Sequence, residues 1–221
     1  MKTIGILGGL GPIASAQLYM EILKLCQKEH QAVQDYDYPK IIIVSLPLPD
    51  FDEHGSTDSS QTQALVEAAL KTLEAAGADF IAMACNTIHL LYPQLVKAVK
   101  IPIINLIEET VSYFQNFAYQ KIGIICSAET SKSGLYAQTF HKRKQKLITT
   151  NQKDQKAVTK AIAAVMGGTI NDVTRHELTK VVHSLENAGA EVLLVGCTEL
   201  PLALNHQDIR IPVIDATRIL A

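Results

Sequence analysis

The sequence predicts an α/β protein made of two similar lobes, each built on a parallel sheet. Three observations support this class. Apolar segments of strand length alternate with helical segments, which is typical of repeated βαβ units. The pattern of the first half restarts near residue 121. In addition, a cysteine follows a buried strand at the same register in each half, at Cys85 and at Cys197. A chain of 221 residues has room for two such lobes.

The two cysteine segments are the most informative part of this repeat. Residues 77–87 have the sequence GADFIAMACNT, and residues 189–199 have GAEVLLVGCTE. In both segments the cysteine stands eight residues after the first glycine. The intervening apolar runs are continuous, as in strands that are buried on both faces of a parallel sheet. Each cysteine therefore lies where a strand ends, and ligands of open α/β sheets bind at that carboxyl end.

The first half of the chain alternates strands and helices. Continuous apolar runs mark the strands, and apolar residues at helical spacing, such as Leu18, Ile22 and Leu25, mark the first helix. Small polar residues between 56 and 60 are N-cap candidates for the second helix. In chain order we predict a strand at 4–7, a glycine loop at 8–12, a helix over 13–29, a strand at 41–45, a helix over 63–76, the first cysteine strand, a helix over 88–99 and a strand at 101–105.

The second half repeats these segments in the same order. Residues 121–126 echo the first strand, and residues 211–215 echo residues 101–105, at nearly the spacing that separates the two cysteine segments. We interpret this as an internal duplication. Helices are predicted over 157–166 and 171–188, and the polar stretch 141–155 is predicted to hold a helix end, a short strand and a loop. Boundaries between the lobes are expected near Val99 and Asp208.

The composition excludes several classes of function. Apolar residues make up 48% of the chain and the net charge is −2 with scattered basic residues, so neither a nucleic-acid surface nor a membrane patch is indicated. No apolar run is long enough to span a bilayer. Four cysteines without a secretion signal are expected to stay reduced, in a cytoplasmic protein. No close cluster of Cys and His predicts a metal site.

Two cysteines that face one ligand from opposite sides form an acid/base pair. A thiolate removes the α-proton of a carbon acid and a thiol returns a proton on the other face, which inverts the configuration. A helix N-terminus lowers the pKa of a cysteine, and Asn86, Thr87 and Thr198 are suited to open a helix after each strand. The same turns expose N–H groups that can hold a carboxylate. This scheme needs neither a covalent intermediate nor a cofactor.

Three motifs resemble the PLP-independent aspartate/glutamate racemase superfamily, and within it the aspartate racemase branch. They are residues 6–12 (ILGGLGP), 84–89 (ACNTIH) and 196–201 (GCTELP). The resemblance covers essentially the whole chain, and the GCTE form argues against the glutamate racemases of cell-wall synthesis. It implies two flavodoxin-like lobes related by a pseudo-two-fold axis, with the active site in the cleft between them. Lobe 1 would comprise residues 1–99 plus 209–221, and lobe 2 residues 100–208.

The resemblance also implies roles for individual residues. Cys85 and Cys197 correspond to the catalytic acid/base pair. Asn86, Thr87 and Thr198 correspond to residues that bind the carboxylate of a small amino-acid substrate, and Thr130 is the best-placed hydroxyl of another substrate-binding segment, residues 127–130. No cofactor is implied. A homodimer is expected, because homodimers are common among the relatives.

Two positions depart from the aspartate racemase pattern. Many aspartate racemases have an arginine just after the second strand, whereas residues 49–52 here are Pro-Asp-Phe-Asp. A family lysine near the end of the helix before the Gly pair corresponds to Met166. Both cations would bind a side-chain carboxylate. A neutral or longer side chain, or a broad specificity, is therefore open beside aspartate and glutamate.

Several other residues have both a structural and a functional interpretation. The glycine loop around Leu10 matches neither a dinucleotide nor a Walker motif, so we expect it to approach the substrate closely. Glu199 either complements a helix dipole or binds the substrate amine. His89, four residues after Cys85, either polarises the thiol or packs in its helix. We expect Cys26 and Cys126 to be inert core residues.

Other reactions and a non-enzymatic role stay open at this point. The same scaffold serves hydantoin racemases, maleate isomerases and arylmalonate decarboxylases, although the last typically need one cysteine. A hydrolase would use Cys85 as nucleophile and His89 as base. A two-lobed binding protein would need neither thiol.

Overall fold

The chain folds into two compact units. A computed structural model describes residues 1–49, 51–52, 55–56 and 59–221, and the side chains of residues 1–49 and 60–221. Unit 1 comprises Met1–Phe51, Ser56–Leu106 and Leu220–Ala221, and unit 2 comprises Asp52–Gly55 and Ile107–Ile219. The predicted boundary near Val99 is a few residues from the break at 106–107. The predicted N-cap candidates at 57 and 58 lie outside the described residues.

Unit 1 is organised around a parallel sheet. Its strands are β1 (Ile4–Gly8), β2 (Ile41–Ser45) and β5 (Phe80–Met83). The two-residue strands β3 (Phe51–Asp52) and β4 (Gly55–Ser56) each have one residue in unit 1 and one in unit 2. The helices of unit 1 are α1 (Pro12–His30), α2 (Ser59–Ala75) and α3 (Tyr92–Leu95), with 3₁₀ turns at Asp35–Asp37 and Thr87–Leu91. The main sheet has the order β2-β1-β5, and β3 and β4 pair separately. All pairings in the main sheet are parallel.

Unit 2 has a four-stranded parallel sheet. Its helices are α4 (Leu106–Phe114, whose first residue belongs to unit 1), α5 (Ala128–Ser133), α6 (Leu135–Lys142), α7 (Gln152–Met166), α8 (Asp172–Asn187) and α9 (Ala216–Leu220, whose last residue belongs to unit 1). Its strands are β6 (Lys121–Cys126), β7 (Lys146–Ile148), β8 (Val192–Gly196) and β9 (Val213–Asp215), with 3₁₀ turns at Leu200–Leu202 and His206–Asp208. The strand order is β7-β6-β8-β9. The predicted class, α/β with two lobes of parallel sheet, is confirmed.

The two sheets have the same topology down to single hydrogen bonds. Next to β5 of unit 1, Ile103 forms an isolated parallel bridge with Ile81, at the position that β9 occupies next to β8 in unit 2. The N–H of Ile81 donates to the carbonyl of Pro102, and the N–H of Leu193 donates to the carbonyl of Pro212, both at 2.8 Å. These matched contacts support the duplication that the sequence repeat predicted.

Small residues at matched positions carry the same packing in both units. A Cβ placed on Gly5 of β1 would lie 2.9 Å from the Cβ of Ala78, and a Cβ placed on Gly123 of β6 would lie 2.9 Å from the Cβ of Ala190. A contact that short does not occur between real side chains, so the central strand of each sheet needs glycine there. Close packing against Gly5 or Gly123 thus explains the alanine of the Gly-Ala pair that opens each cysteine segment, whereas the glycines, Gly77 and Gly189, have φ of 89° and 90°, which favours glycine.

The sequence prediction is wrong for the helix over 88–99. The structure has a 3₁₀ turn at Thr87–Leu91 followed by the four-residue α3, because Pro93 has no N–H to donate to a preceding carbonyl and because His89 closes an i→i+3 bond with Asn86. The helix expected after Cys197 is likewise a single 3₁₀ turn, at Leu200–Leu202. The cysteines therefore do not lie at the start of long α-helices.

Other elements differ from the prediction in extent. Residues 101–105 form only the single bridge at Ile103 instead of a strand. Helices α4 and α5 were not predicted, whereas the helix end and the short strand predicted within 141–155 correspond to the end of α6 at Lys142 and to β7. Segment 209–219 packs in unit 2, because β9 hydrogen-bonds to β8, whereas the predicted lobe 1 includes residues 209–221.

Candidate active site

Cys85 lies at the carboxyl end of β5 in unit 1. The N–H of Ala84 still donates to the carbonyl of Leu7 on β1 (3.0 Å), but the N–H of Cys85 turns back to the carbonyl of Met83 (2.8 Å). This i→i+2 turn ends the strand. Cys85 is 6% exposed, and Leu10, from the loop after β1, belongs to the same apolar core. The predicted Leu10 and Cys85 therefore lie at the carboxyl ends of neighbouring strands.

The loop that carries Leu10 is held by Ser15 of α1. The N–H of Gly9 donates to Ser15 Oγ (2.8 Å), and Ser15 Oγ donates to the carbonyl of Gly11 (3.1 Å). Gly9 has φ of 87°, and a Cβ on it would lie 2.4 Å from the backbone N and O of Leu46. Both the dihedral angle and the space at this position therefore require glycine.

We expect Gly9→Ala to destabilise the protein by at least about 2 kcal/mol more than Gly77→Ala. Gly77 has nearly the same φ, 89°, but a Cβ there would meet no atom within 4 Å. The stability lost in Gly77→Ala therefore measures only the cost of a left-handed backbone at a residue with a side chain, about 1–2 kcal/mol. Urea unfolding of the two variants measures the difference. Equal losses would show that Leu46 moves away without cost and that the loop is not held where the structure places it.

His89 is a structural residue of unit 1. It is 2% exposed, and its two ring nitrogens both have backbone partners: Nδ1 donates to the carbonyl of Cys85 (2.8 Å), and Nε2 accepts from the N–H of Leu106 (3.1 Å). A carbonyl can only accept, so this geometry selects the neutral tautomer with the proton on Nδ1. Burial lowers the pKa of His89 to about 4. Of the two predicted roles, packing is the one that the geometry supports.

The buried neutral state of His89 should make stability depend on pH. The unfolded histidine binds a proton as the pH falls through about 6.5, whereas the folded one stays neutral down to about 4. Stability is therefore full above pH 6.5 and falls between these values by about 1.4 kcal/mol per pH unit. His89→Asn should flatten this slope in urea unfolding between pH 7 and 4, with the exposed His30→Asn as control. A slope that His89→Asn leaves unchanged would contradict this assignment.

Asn86 and Thr87 follow Cys85 in the 3₁₀ turn. Asn86 is 3% exposed, has helical backbone angles and makes no side-chain cap bond, so it does not act as the predicted N-cap. Its carbonyl accepts from the N–H of His89 (3.1 Å). Both predicted substrate-binding residues thus lie beside Cys85, on a turn that the ring of His89 hydrogen-bonds to the backbone.

In unit 2, Cys197 is part of a hydrogen-bonded cluster. It lies one residue beyond the end of β8 and is 9% exposed. Its Sγ donates to Glu199 Oε2 (3.2 Å), which also accepts from Thr198 Oγ1 (2.9 Å). Glu199 is 4% exposed and forms no ion pair within the described part of the chain. The buried carboxyl group of Glu199 is therefore satisfied by two side-chain donors, and the thiol of Cys197 is one of them.

The turn after this cluster is anchored from α8. Arg175 Nη1 donates to the carbonyl of Leu202 at 2.7 Å, at the end of the 3₁₀ turn Leu200–Leu202. This contact could not be predicted from the sequence, because Arg175 is distant from Leu202 in the chain and belongs to no motif. The contact between Cys197 and Glu199 was also not predicted, since Glu199 was assigned to a helix dipole or to a substrate amine.

The strand residue before Cys197 packs against a buried tyrosine. A Cβ on Gly196 would lie 3.2 Å from Cε2 of Tyr136 and 3.4 Å from the Cβ of Cys126. Burial raises the pKa of Tyr136 and raises that of Cys126 to about 12. Cys126 therefore stays a thiol at neutral pH, which agrees with the expected inert role.

Thr130 lies in the first turn of α5, after β6. Ser127 is the N-cap of this helix: its Oγ accepts from the N–H of Thr130 (3.2 Å) and donates to Thr130 Oγ1 (3.0 Å). Thr130 is 2% exposed. The strands β6 and β8 are parallel neighbours, and Cys126 pairs with Gly196 at their ends. The loop with Thr130 and the cluster of Cys197 therefore both lie at the carboxyl end of the sheet.

The strand order explains why these loops gather. In each unit the chain passes from the central strand to one side and then crosses to the other side, so β1 and β5, and likewise β6 and β8, flank the switch point of their sheet. Ligands of doubly wound sheets bind at that crevice. The structure groups the predicted residues accordingly. Unit 1 brings together Leu10, Cys85, Asn86 and Thr87, and unit 2 brings together Thr130, Cys197, Thr198 and Glu199.

Comparison with known proteins assigns the family. The sequence model of the Asp/Glu/Hydantoin racemase family matches residues 7–221. The chain belongs to this family. It is 31% identical over 220 residues to the broad specificity amino-acid racemase RacX of Bacillus subtilis (strain 168). The alignment covers 99% of this chain and 94% of that protein. The protein is therefore a racemase, an isomerase.

Solved structures agree with this assignment. An aspartate racemase homologue from Pyrococcus horikoshii OT3 superimposes on the racemase with a TM-score of 0.80 at 25% identity, covering 99% of this chain and 95% of that one. The aspartate racemase of Picrophilus torridus has a TM-score of 0.84 at 26% identity, covering 98% and 90% of the two chains.

The two positions that depart from the aspartate racemase pattern are only partly described in this racemase. Met166 is the last residue of α7 and is 43% exposed. Asp50 and the side chains of residues 51–52 lie outside the described residues. Within the described chain, no cluster of His, Cys, Asp and Glu is arranged to hold a metal ion. No helix among the described residues is long and apolar enough to cross a membrane.

Proposed function

We propose that this racemase inverts the α-carbon of free amino acids, with Cys85 and Cys197 as the acid/base pair on opposite faces of the substrate and without a cofactor. The observation that carries the proposal is the hydrogen bond from Cys197 Sγ to the buried carboxylate of Glu199. A reactive thiol needs a partner for its proton, whereas a thiol that only packs does not. Cys85 occupies the matching register of the duplicated unit, and neither thiol is in a disulfide.

The neighbours of the two cysteines have chemistry that suits an amino-acid substrate. Asn86, Thr87, Thr130 and Thr198 offer amide and hydroxyl groups, which we assign to the α-carboxylate. Leu10 supplies an apolar wall that excludes water. Glu199 acts as a positioning residue, because it holds the Cys197 thiol and through Thr198 fixes the loop around it.

We propose a broad range of side chains rather than strict specificity for aspartate or glutamate. The relative from Bacillus subtilis is named for broad specificity and aligns over nearly the whole chain. In addition, Met166 stands where the aspartate racemase pattern has a lysine, so a side-chain carboxylate loses one expected partner. A thioether accepts apolar and neutral side chains more readily than a second carboxylate.

We further propose that the protein forms a homodimer through α1. Ile13 and Met20 are seven residues apart and lie on one face of this helix, where they are 42% and 49% exposed. Sedimentation equilibrium should give twice the mass of the chain, and Met20→Lys together with Ile13→Lys should shift the protein to monomers. A monomeric parent protein would exclude this part of the proposal.

Proton NMR in D2O tests the racemase proposal. Single enantiomers of aspartate, glutamate and a panel of neutral and basic amino acids are incubated with reduced protein and then separated by chiral chromatography. Loss of the α-proton signal together with the opposite enantiomer, for several side chains, is the expected result. Racemisation of aspartate alone would contradict the broad range. No exchange with any amino acid would exclude the amino-acid racemase and leave another reaction of this family or a binding role.

A further inference from the structure

Unit 2 has a groove whose lining includes three lysines and no acidic residue. It has a volume of about 540 Å³ and lies between α5 and residues 152–163 of α7, beyond the ends of β6 and β7. Lys132, Lys156 and Lys160 line it, together with uncharged polar side chains and two alanines. None of the side chains assigned to the proposed reaction lines it, although Ala128 belongs to the same segment, 127–130, as Thr130. Its volume is within the range of small-molecule sites.

None of the three ammonium groups has a carboxylate partner among the residues that the structure describes. In the part of the chain that the structure describes, none of the three forms an ion pair, although Glu21, Glu29 and Glu177 pair with other lysines. Lys156 and Lys160 are four residues apart, so they are neighbours on one face of α7, where like charges destabilise a helix. Asp154, the acid of the first turn of α7, accepts instead from Asn151 Nδ2 (2.7 Å).

The floor of the groove is preorganised by one glutamine. Gln155 Nε2 donates to the carbonyl of Cys126 at the end of β6 (3.0 Å), and its Oε1 accepts from Thr150 Oγ1 (2.6 Å), which follows β7. A single side chain thus links the ends of two strands to α7. Gln152, the first residue of α7, also lines the groove, so the positive end of the helix adds to the charge of the lysines.

We infer that this groove binds a small phosphorylated molecule. Lysine ammonium groups bind phosphate as compact charges, and the hydroxyls of Ser131 and Thr159 on the lining can donate to phosphate oxygens. A phosphate or diphosphate group would neutralise the like charges that the chain itself leaves uncompensated. The inference is independent of the cysteine chemistry and goes beyond the proposed racemase function.

Isothermal titration with inorganic pyrophosphate at low ionic strength tests this inference. The double variant Lys156→Gln/Lys160→Gln should bind at least about tenfold more weakly than the parent protein, since each lysine lost removes a charge-assisted bond. Lys97→Gln/Lys100→Gln, two lysines of unit 1, is the matched control and should bind as the parent does. A nucleoside diphosphate in a parallel titration distinguishes organic from inorganic phosphate by its higher affinity.

Two further readouts keep the test independent of any one titration. Without a ligand at low salt, the double variant should have a higher Tm than the parent, because the like charges are gone. On addition of pyrophosphate, the Tm should rise in the parent and in the control but not in the double variant. Saturable binding that is equal in all three proteins, or no binding by the parent, would overturn the inference. We expect all of these variants to keep the racemase activity of the parent protein. The outcome of the binding test therefore does not depend on the proposed function.

Discussion

Replacement of either Cys85 or Cys197 by serine is expected to lower the racemisation rate by about 10²–10⁴-fold, the range of general acid–base catalysis. A hydroxyl fills nearly the same space as a thiol, but it does not ionise at neutral pH, so one of the two proton transfers is lost. In each variant the surviving cysteine can still remove the α-proton of one enantiomer and return a deuteron to the same face. Exchange in D2O with retention of configuration should therefore persist for one enantiomer only.

The two variants should differ in which enantiomer they exchange. Cys85→Ser should exchange the enantiomer whose α-proton faces Cys197, and Cys197→Ser should exchange the other one. Cys26→Ser and Cys126→Ala are the matched controls, and both should racemise as the parent protein does. Cys126 is a suitable control because it is buried like the proposed catalytic pair but outside the cluster with Glu199. Full racemisation by either serine variant, or exchange of the same enantiomer by both variants, would contradict the two-thiol scheme.

Much of this fold could be predicted from the sequence because the repeat is local and periodic. Continuous apolar runs identify β1, β5, β6 and β8, and their positions agree with the predicted strands within a residue or two. The same runs also predict the positions of the cysteines, because each cysteine directly follows the end of a strand. Once the strand is located, the position of the cysteine at its carboxyl end is known. This is why the predicted site residues lie together within each unit.

The errors have equally specific causes. The helix expected after Cys85 is limited to a 3₁₀ turn and the four-residue α3 by Pro93, and the ring of His89 connects two backbone segments there through contacts that leave no periodic signal. The partner of Cys197 could not be predicted for the same reason that Glu199 was ambiguous: a carboxylate two residues away can face solvent, a helix end or the thiol, and only side-chain geometry decides.

Replacement of Glu199 by glutamine is expected to lower kcat/KM for racemisation by about 10²–10³-fold. The amide oxygen of glutamine still accepts hydrogen bonds from Cys197 and Thr198, so the loop should stay in place, but an amide does not exchange the proton of the thiol. Because enantiomers have equal free energies, kcat/KM must fall equally in both directions. The asymmetry should instead appear in the isotope effect of α-deuterated substrates.

That isotope effect separates proton exchange from mere packing. With Glu199→Gln, removal of the proton by Cys197 becomes the slow step, so the primary effect should rise for the enantiomer that faces Cys197 and rise less for the other. Glu199→Asp, which keeps the carboxylate on a shorter side chain, should recover part of the rate. Glu177→Gln on the exposed face of α8 should change neither the rate nor the isotope effects. If the rate fell while both isotope effects stayed equal, Glu199 would hold the loop without taking part in the thiol's proton transfer.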